Sequence, residues 1–284
     1  MKEELHMKEE LQKKVDRAVL LLQSTCKDQQ VELCYSGGKD SDVILELAKM
    51  AGINYRAIYK CTTIDPPGTI KHCIDNGVEI VRPKMSFFQI IENKGFPTRR
   101  ARFCCEQLKE YKIMDKSIQG IRRSESIKRA KNYIEPTMCR FYGSKKNHVE
   151  VILPILDFTD KDVEEFVKER GIKLHPLYYN EDGSLNVKKR LGCMGCPFKS
   201  DNGLSDFKAH PKLVRAWLIA GKKWWDSHPN VASHKKFSDI YELFVSNVFF
   251  NSYEKSMIAI RGGIFGNRID CKKWIEDYFK ISLD

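Results

Sequence analysis

Ser36-Gly37-Gly38-Lys39-Asp40-Ser41 joins an apolar, β-prone run, Val31–Tyr35, to a run with the apolar spacing of a helix that begins at Val43. A strand, a glycine turn and a helix start therefore meet at one point. Such a junction directs unpaired backbone N–H groups and the positive end of a helix toward an anion. Two glycines let the backbone approach a phosphate closely, and two hydroxyls and a lysine can add hydrogen bonds. The stretch predicts a phosphate-binding loop.

The spacing of this loop differs from both common phosphate loops, GxxxxGK[ST] and GxGxxG. It resembles the PP-loop of the adenine-nucleotide α-hydrolases, whose members bind the phosphates of ATP or of an adenylyl sulfate. The resemblance implies that the nucleotide is bound by Ser36, Gly37, Gly38, Lys39, Asp40 and Ser41. The alternative is a polar turn between a strand and a helix.

Length, charge and cysteine content bound the class of protein. The chain has 284 residues, ten cysteines and a net charge of +11. From Arg99 to Lys146 there are 14 Lys and Arg against 5 Asp and Glu, which favours a phosphate-binding face or a solvated basic surface. The first residues are charged, and no apolar run approaches the ~20 residues of a membrane span. We therefore expect a cytoplasmic protein whose cysteines serve metal or redox chemistry.

Strand and helix patterns alternate after the phosphate loop. Strand-like runs at 31–35, 55–61, 78–81, 118–121 and 149–156 are separated by helical runs that include 42–50, 66–76 and 86–93. This alternation predicts the α/β class, with a doubly wound, mostly parallel sheet. We divide the chain into an N-terminal helix, 1–25, a nucleotide-binding domain, 26–200, and a helical basic and aromatic region, 201–284. Most aromatic residues of that last region are expected in a core.

Two cysteine pairs suggest a metal site. Cys104 and Cys105 are adjacent, whereas Cys193 and Cys196 form a CxxC turn flanked by Gly192, Gly195 and Pro197. Four thiolates are enough for Zn²⁺ or for an iron–sulfur cluster. Neighbouring side chains on a helix diverge by about 100°, which suits a large four-iron cluster better than one zinc ion. The alternative is a set of unrelated buried cysteines.

Two further motifs follow predicted strands. In Gly120-Ile-Arg122-Arg123-Ser-Glu125-Ser-Ile-Lys-Arg129, the arginines can hold phosphate or sulfate, and the glutamate can lock an arginine or meet a ribose hydroxyl. The alternative is a salt-bridged helix start at the surface. In Thr62-Thr-Ile-Asp65-Pro-Pro, the aspartate can orient a nucleotide or a metal, or simply form an Asx-Pro turn. We expect this motif beside the phosphate loop.

The ordered series SGGKDS, TTIDPP, CC, GIRRSES, HPLY and GCMGCPF resembles the phosphoadenosine phosphosulfate (PAPS) and adenylyl sulfate (APS) reductase family over about residues 30 to 200. The resemblance implies that the loop holds the phosphate–sulfate end of the nucleotide, with the Gly120–Arg129 motif near it. It also implies a [4Fe-4S] cluster on Cys104, Cys105, Cys193 and Cys196, and a thioredoxin-like reductant.

One departure from that family separates the functional hypotheses. Family reductases attack sulfur with the cysteine of a Glu-Cys-Gly-Leu-His segment. The 284 residues contain no such segment, and their last cysteine, Cys271, lies in Ile-Asp-Cys-Lys-Lys-Trp. The same core also resembles ATP pyrophosphatases that thiolate DNA or tRNA. A third hypothesis is a zinc-bearing binding module without catalysis.

The candidate catalytic residues surround the expected phosphate. Lys39, with Arg122 or Arg123, is expected to stabilise charge that builds on phosphate or sulfate oxygens. Asp40 is expected either to bind Mg²⁺ or to position the loop.

Overall fold

The computed structural model describes residues 2–27, 29–142, 148–262 and 267–283. In chain order, its helices and strands are α1 (Lys2–Thr25), β1 (Val31–Tyr35), α2 (Lys39–Ala51), β2 (Tyr55–Lys60), α3 (Thr69–Asp75), β3 (Glu79–Val81), α4 (Phe87–Lys94), α5 (Phe103–Leu108), β4 (Lys116–Gln119), α6 (Ile127–Asn132), β5 (Thr137–Phe141), β6 (His148–Ile152), α7 (Asp160–Glu169), α8 (Leu204–Ala209), α9 (Pro211–Ser227), α10 (Ala232–Lys236), α11 (Ile240–Phe249), α12 (Tyr253–Arg261) and α13 (Cys271–Phe279).

The chain forms two compact units. The first contains Met1–Cys61, Pro66–Arg82 and Glu110–Gly192, and the second contains Thr62–Asp65, Pro83–Lys109 and Cys193–Asp284. The units interleave along the chain, whereas the segments 1–25, 26–200 and 201–284 follow it in order. Those segment boundaries stay a prediction.

The first unit is built on a six-stranded sheet in the order β3-β2-β1-β4-β6-β5. Neighbouring strands pair in parallel except β5 and β6, which are antiparallel. β1 lies in the middle, where Leu33 pairs with Ala57 of β2 and with Ile118 of β4. The predicted α/β class with a mostly parallel sheet is confirmed, and the sequence patterns missed the edge strand β5.

The helices of this unit follow from their apolar stripes and caps. In α2, the predicted stripe of Val43, Ile44 and Leu47 is fully buried in the core. Gly52 ends this helix in the left-handed conformation, with φ 65°. Thr159 caps α7 and forms a capping box with Asp162. Helix α2 nevertheless begins at Lys39, four residues before Val43, the first residue of its apolar stripe.

The second unit is helical in its C-terminal part, as predicted, and its core is largely aromatic. Phe207, Trp217 and Phe244 are buried and pack against one another, with the Phe207 and Trp217 rings edge to face at 5.3 Å between centroids. The expectation that most aromatic residues here form a core is confirmed for these side chains. No helix in the described ranges has the length and apolar character needed to cross a membrane.

Candidate functional site

The predicted phosphate loop lies at the carboxyl edge of the sheet, between β1 and β4. The strand order reverses there, because β2 and β3 lie on one side of β1 whereas β6 and β5 lie beyond β4. In open α/β sheets, ligands bind at this switch point. β1 ends at Tyr35, just before the loop, and β4 ends at Gln119, just before Gly120. The topology therefore brings the loop and the Gly120 turn to one crevice.

Glycines give the loop its shape. Gly37 has a φ of 74°, a conformation that favours glycine. A Cβ on Gly37 would lie 3.2 Å from the Leu191 side chain. Gly38 caps α2, and its carbonyl accepts hydrogen bonds from the Ser41 N–H at 2.8 Å and the Ser41 hydroxyl at 2.7 Å. The first turn of α2 is thereby fixed against the loop.

A cavity of about 230 Å³ opens beside this loop. Eight predicted site residues line it: Ser36, Gly38, Lys39, Asp40, Ser41, Gly120, Glu125 and Arg129. Sequence reasoning missed four other lining residues: Cys34, Tyr178, Arg190 and Leu191. Tyr178 and Arg190 had local signals, since they belong to the HPLY segment and to a Lys-Lys-Arg run, but no sequence pattern placed either of them beside the loop.

Lys39 and Tyr178 form a buried part of the cavity wall. The Lys39 side chain is buried, with its ammonium 3.4 Å from the Asp40 carboxylate and 5.6 Å from the centroid of the Tyr178 ring. Burial lowers the pKa of Lys39. The Tyr178 hydroxyl accepts a hydrogen bond from the Leu191 N–H at 3.3 Å, and burial raises the pKa of Tyr178 to about 12. This wall therefore presents a lysine ammonium and a neutral phenol to a ligand.

Arg122 supports the loop from behind the cavity. It is 1% exposed, and its Nε donates to Asp40 Oδ1 at 2.7 Å while Nη2 donates to Asp160 at 2.8 Å. The neighbouring Arg123 contacts Asp157 and two backbone carbonyls. Neither guanidinium lines the cavity. Their charge-stabilising role stays a prediction, and the contacts give Arg122 a direct means of fixing Asp40.

Arg129 and Arg190 line the cavity together with Glu125. The Glu125 carboxylate contacts Nη1 of Arg129 and lies 3.9 Å from Nη2 of Arg190. Arg190 Nη2 also donates to the Glu125 carbonyl oxygen at 3.0 Å. Glu125 therefore holds an arginine, which is one of its two predicted roles.

A buried polar network lies under the loop. Asp42 accepts hydrogen bonds from the Tyr35 hydroxyl and from His72 Nε2, the latter at 3.0 Å. Burial raises the pKa of Asp42, although His72 and Tyr35 oppose that shift. His175 packs edge to face on His72 at 5.9 Å, and its Nδ1 accepts from the Leu177 N–H at 3.1 Å. Burial lowers the pKa of His175 and so favours the neutral imidazole.

In the second unit, all four predicted metal ligands line one small cavity of about 30 Å³. Cys104 and Cys105 belong to α5, and Cys193 and Cys196 belong to the CxxC turn that precedes α8. Thr62 lines the same cavity, and its hydroxyl lies 3.5 Å from the Cys193 sulfur. The structure therefore gathers the two cysteine pairs.

The CxxC turn is held rigidly. Gly195 has a φ of 68°, and its N–H donates to the Asp206 carboxylate at 2.8 Å. The Met194 N–H donates to the Ile64 carbonyl at 2.9 Å. A Cβ on Gly203 would lie 2.5 Å from the Gly195 backbone, so only glycine fits there. The sulfur atoms of the turn are thereby directed by backbone contacts.

The surroundings lower the pKa of Cys105 but raise the pKa of Cys104 and, mainly through burial, that of Cys196. A hydrogen bond from Cys104 and the charge of Arg102 lower the pKa of Cys105 to about 6. The same bond and burial raise the pKa of Cys104. Burial lowers the pKa of Lys109, but Cys193 and Asp65 outweigh burial and raise it overall. The cavity thus contains both an acidified thiol and a persistent cation.

Four cysteines line this cavity, and thiolates are the donor type that holds zinc or an iron–sulfur cluster. Within the described part of the chain, no three His, Cys, Asp or Glu side chains are arranged to hold a metal ion. Zinc and the [4Fe-4S] cluster therefore both stay predictions. Thr62 and Asp65 belong to this second unit, where the Thr62 N–H donates to Asp65 at 2.9 Å. Their nucleotide-binding role also stays a prediction.

Comparison with known proteins decides the family. The phosphoadenosine phosphosulfate reductase domain matches residues 30–199, more than half of the chain. The chain belongs to this domain family. A curated relative, an uncharacterised 37.8 kDa protein in the gpa 5′ region of Escherichia phage 186, is 33% identical over 138 residues. That match covers 43% of this chain, and the chain spans only 38% of the relative's length.

Two solved structures show a weaker likeness. Phosphoadenylyl-sulfate (PAPS) reductase from Candida auris, in a phosphate complex, is 15% identical with a TM-score of 0.45, over 62% of this chain and 87% of that one. FMN adenylyltransferase from Candida glabrata, with FMN and an ATP analogue, is 11% identical with a TM-score of 0.43, over 62% of each chain. The family assignment rests on the matched domain.

Proposed function

We propose that this PAPS reductase-family protein acts on an adenine nucleotide, PAPS, APS or ATP, in sulfur chemistry. One observation carries the proposal: Lys39, Arg129 and Arg190 line a single cavity with the phosphate loop at the switch point of the sheet. Backbone N–H groups and converging cations are the means by which proteins hold phosphate and stabilise charge that develops during its transfer.

Lys39 and Asp40 of the loop have different proposed roles. Lys39 supplies the buried positive charge beside the reacting phosphate or sulfate. Asp40 positions the loop, because its two carboxylate oxygens face Arg122 at 2.7 Å and Lys39 at 3.4 Å. This pairing favours positioning over the Mg²⁺ ligation that a free carboxylate would offer. A magnesium ion bound with the nucleotide would then be held chiefly by the phosphates.

The cysteine site is proposed to hold a [4Fe-4S] cluster on Cys104, Cys105, Cys193 and Cys196, with zinc as the alternative. When bound, such a cluster supplies electron transfer or a sulfur-binding iron. The chain's own contribution is to bring four thiols to one cavity and to keep Cys105 acidic. A thiolate is the form that binds metal, so a low pKa at Cys105 assists assembly.

A second candidate function is an ATP pyrophosphatase that thiolates DNA or tRNA, and the state of Cys271 favours it. A reductase of this family needs a thiolate nucleophile that reaches the substrate. Cys271 is only 6% exposed, and burial raises its pKa to about 12. It is therefore poorly suited to attack sulfur. The surplus of 14 basic over 5 acidic residues from Arg99 to Lys146 suits a nucleic-acid acceptor.

The experiment is a product assay. The purified chain is incubated with PAPS, APS or ATP, and sulfite and pyrophosphate are measured, with a thioredoxin-type reductant or with DNA or tRNA. Sulfite from PAPS or APS supports the reductase, whereas pyrophosphate from ATP that increases with DNA or tRNA supports the sulfurtransferase. The Lys39→Ala variant serves as the inactive control. No product from any nucleotide, with zinc bound, would indicate the non-catalytic binding module.

Metal content is measured after anaerobic purification. Four moles of iron and of acid-labile sulfide per chain support the cluster. Zinc without iron supports the alternative. Cys193→Ser is expected to lose the metal, and Cys139→Ser, which changes an exposed cysteine, is the matched control. Unchanged metal in Cys193→Ser would show that the ligand set is wrong.

A further inference from the structure

Arg190 is a cation of the nucleotide cavity that no sequence motif assigns. The Leu191 side chain next to it packs over Gly37 of the phosphate loop, and the Leu191 N–H is bonded to Tyr178. These contacts fix the backbone of Arg190 at the mouth of the cavity. Its side chain is 64% exposed, so the guanidinium can turn toward a bound ligand without leaving a core.

Glu125 is the counter-ion that this guanidinium faces in the free protein. The Glu125 side chain is only 9% exposed and lies between two arginines, since it contacts Arg129 and stands 3.9 Å from Arg190. Arg190 also lowers the pKa of Arg129, after burial, which reflects two like charges held close together. One carboxylate thus serves two guanidinium groups at the edge of a phosphate-binding loop.

The cavity lining has three cationic side chains, Lys39, Arg129 and Arg190, against two carboxylates, Asp40 and Glu125. Asp40 is already paired with the buried Arg122 at 2.7 Å, so it compensates Lys39 only in part. Glu125 is the other carboxylate of the cavity lining, and it faces both Arg129 and Arg190. Arginine forks pair with phosphate or sulfate as readily as with a carboxylate. A doubly anionic tail can therefore replace Glu125 as the partner of Arg190.

We propose that Arg190 binds the second anionic group of the nucleotide, the one joined to the α-phosphate, and that Glu125 is the exchangeable counter-ion that this group displaces. The inference rests on the proposed nucleotide site and deepens it. The ligand class is an adenylate with an anhydride-linked anion, either the pyrophosphate of ATP or the sulfate of APS. AMP lacks that group and so gains little from Arg190.

The direction in which Glu125→Gln changes ligand affinity distinguishes this role from ribose binding by Glu125. If Glu125 competes with the ligand anion, Glu125→Gln removes the competitor and strengthens binding of inorganic pyrophosphate. If Glu125 instead binds a ribose hydroxyl, Glu125→Gln weakens AMP binding and leaves pyrophosphate binding unchanged, because pyrophosphate has no ribose. The two roles therefore predict different responses to the same variant.

The test is calorimetric titration of the full chain with pyrophosphate, AMP, ATP and APS. Arg190→Ala should weaken pyrophosphate and at least one of ATP and APS by about tenfold or more, and AMP by less than about threefold, as expected for the loss of one charge-assisted contact. Arg190→Lys should recover part of the loss. Whichever of ATP and APS loses more identifies the tail that Arg190 holds.

Two control variants change a second Arg–Glu ion pair, which lies near the amino ends of β2 and β3. Arg56, the second residue of β2, and Glu79, the first residue of β3, form an exposed bidentate ion pair away from the carboxyl edge. Arg56→Ala and Glu79→Gln should leave every affinity within twofold of the original. Thermal unfolding of each variant confirms that it is folded.

Several results would overturn the proposal. If the unmodified chain binds ATP or APS but Arg190→Ala binds them equally well, the role of Arg190 is refuted and the nucleotide site stands. If Glu125→Gln weakens pyrophosphate binding, Glu125 is not a competing counter-ion. If the unmodified chain binds none of the four ligands, the proposed function itself fails, and this inference fails with it.

Discussion

Replacing Gly120 with alanine should disturb the phosphate loop without touching a ligand. A Cβ at this position would lie 2.8 Å from the Asp40 carbonyl oxygen and 3.0 Å from its carbonyl carbon. Ordinary contacts of a Cβ begin at 3.4 Å, so the two backbones must separate by about 0.6 Å. The obstructing atoms belong to the first turn of α2 and cannot rotate away as a side chain would. Gly120 does not have a positive φ, so the effect is steric.

The expected cost follows from overpacking. Such an insertion destabilises a packed site by about 1–3 kcal/mol. In a protein of this size, each kcal/mol lowers the midpoint of thermal unfolding by roughly 2–4 °C. The shift also moves Asp40 and Lys39 relative to the cavity. Loss of one hydrogen bond to a charged phosphate costs about 1.5–3 kcal/mol, so we expect ATP or APS to bind at least about tenfold more weakly.

The assay compares nucleotide titration and thermal unfolding for Gly120→Ala and Gly192→Ala. A Cβ on Gly192 meets no atom within 4 Å, so that variant controls for adding a methyl group near the site. Gly192→Ala should bind nucleotide normally. If Gly120→Ala binds ATP and APS within twofold of the original chain, the close approach of the loop to the Gly120 turn does not shape the site, and the reasoning fails.

Three further substitutions test the supports of both sites. Arg122→Leu should lower the unfolding free energy by about 3 kcal/mol, because it leaves two partly exposed carboxylates without their buried partner. Arg123→Ala, which changes a more exposed arginine, should lower it by less than about 1 kcal/mol. Denaturant unfolding measures both values, and equal costs would contradict the burial argument. Burial lowers the pKa of His175 in the folded state, so the unfolded state binds more protons below about pH 6.5 and the original chain loses stability as the pH falls. His175→Asn should make this loss of stability smaller. An unchanged slope of unfolding free energy against pH would refute this. Gly203→Ala should reduce the iron or zinc bound per chain by displacing Gly195, and full retention would show that the turn tolerates the shift.

Much of the first unit could be predicted because local pattern and tertiary structure agree there. The strand Val31–Tyr35 was predicted with its observed bounds. Helix α2 begins earlier than its apolar stripe because Gly38 acts as its cap. β5, Thr137–Phe141, escaped prediction because it is an edge strand with no fully buried residue, so its sequence lacks a clear apolar alternation.

The site was predictable only in part, because residues of one sequence motif occupy different places in the structure. Arg122 and Arg129 belong to the same motif, yet the first is buried in ion pairs behind the loop and the second lines the cavity. Residue type alone could not distinguish them. Arg190 lies far along the chain from that motif, and only the packing of Leu191 over Gly37 brings it to the loop. The cysteine pairs were predicted together because thiol chemistry restricts their number and spacing.

The central claim is that the cavity beside the phosphate loop binds an adenine nucleotide through Lys39. Equilibrium titration of the full chain and of Lys39→Ala with ATP and with APS tests it directly. The account predicts that the unmodified chain binds at least one of the two, and that Lys39→Ala, still folded by thermal unfolding, binds it at least about tenfold more weakly. Equal affinity in the two proteins, or no binding of either nucleotide to the unmodified chain, would contradict it.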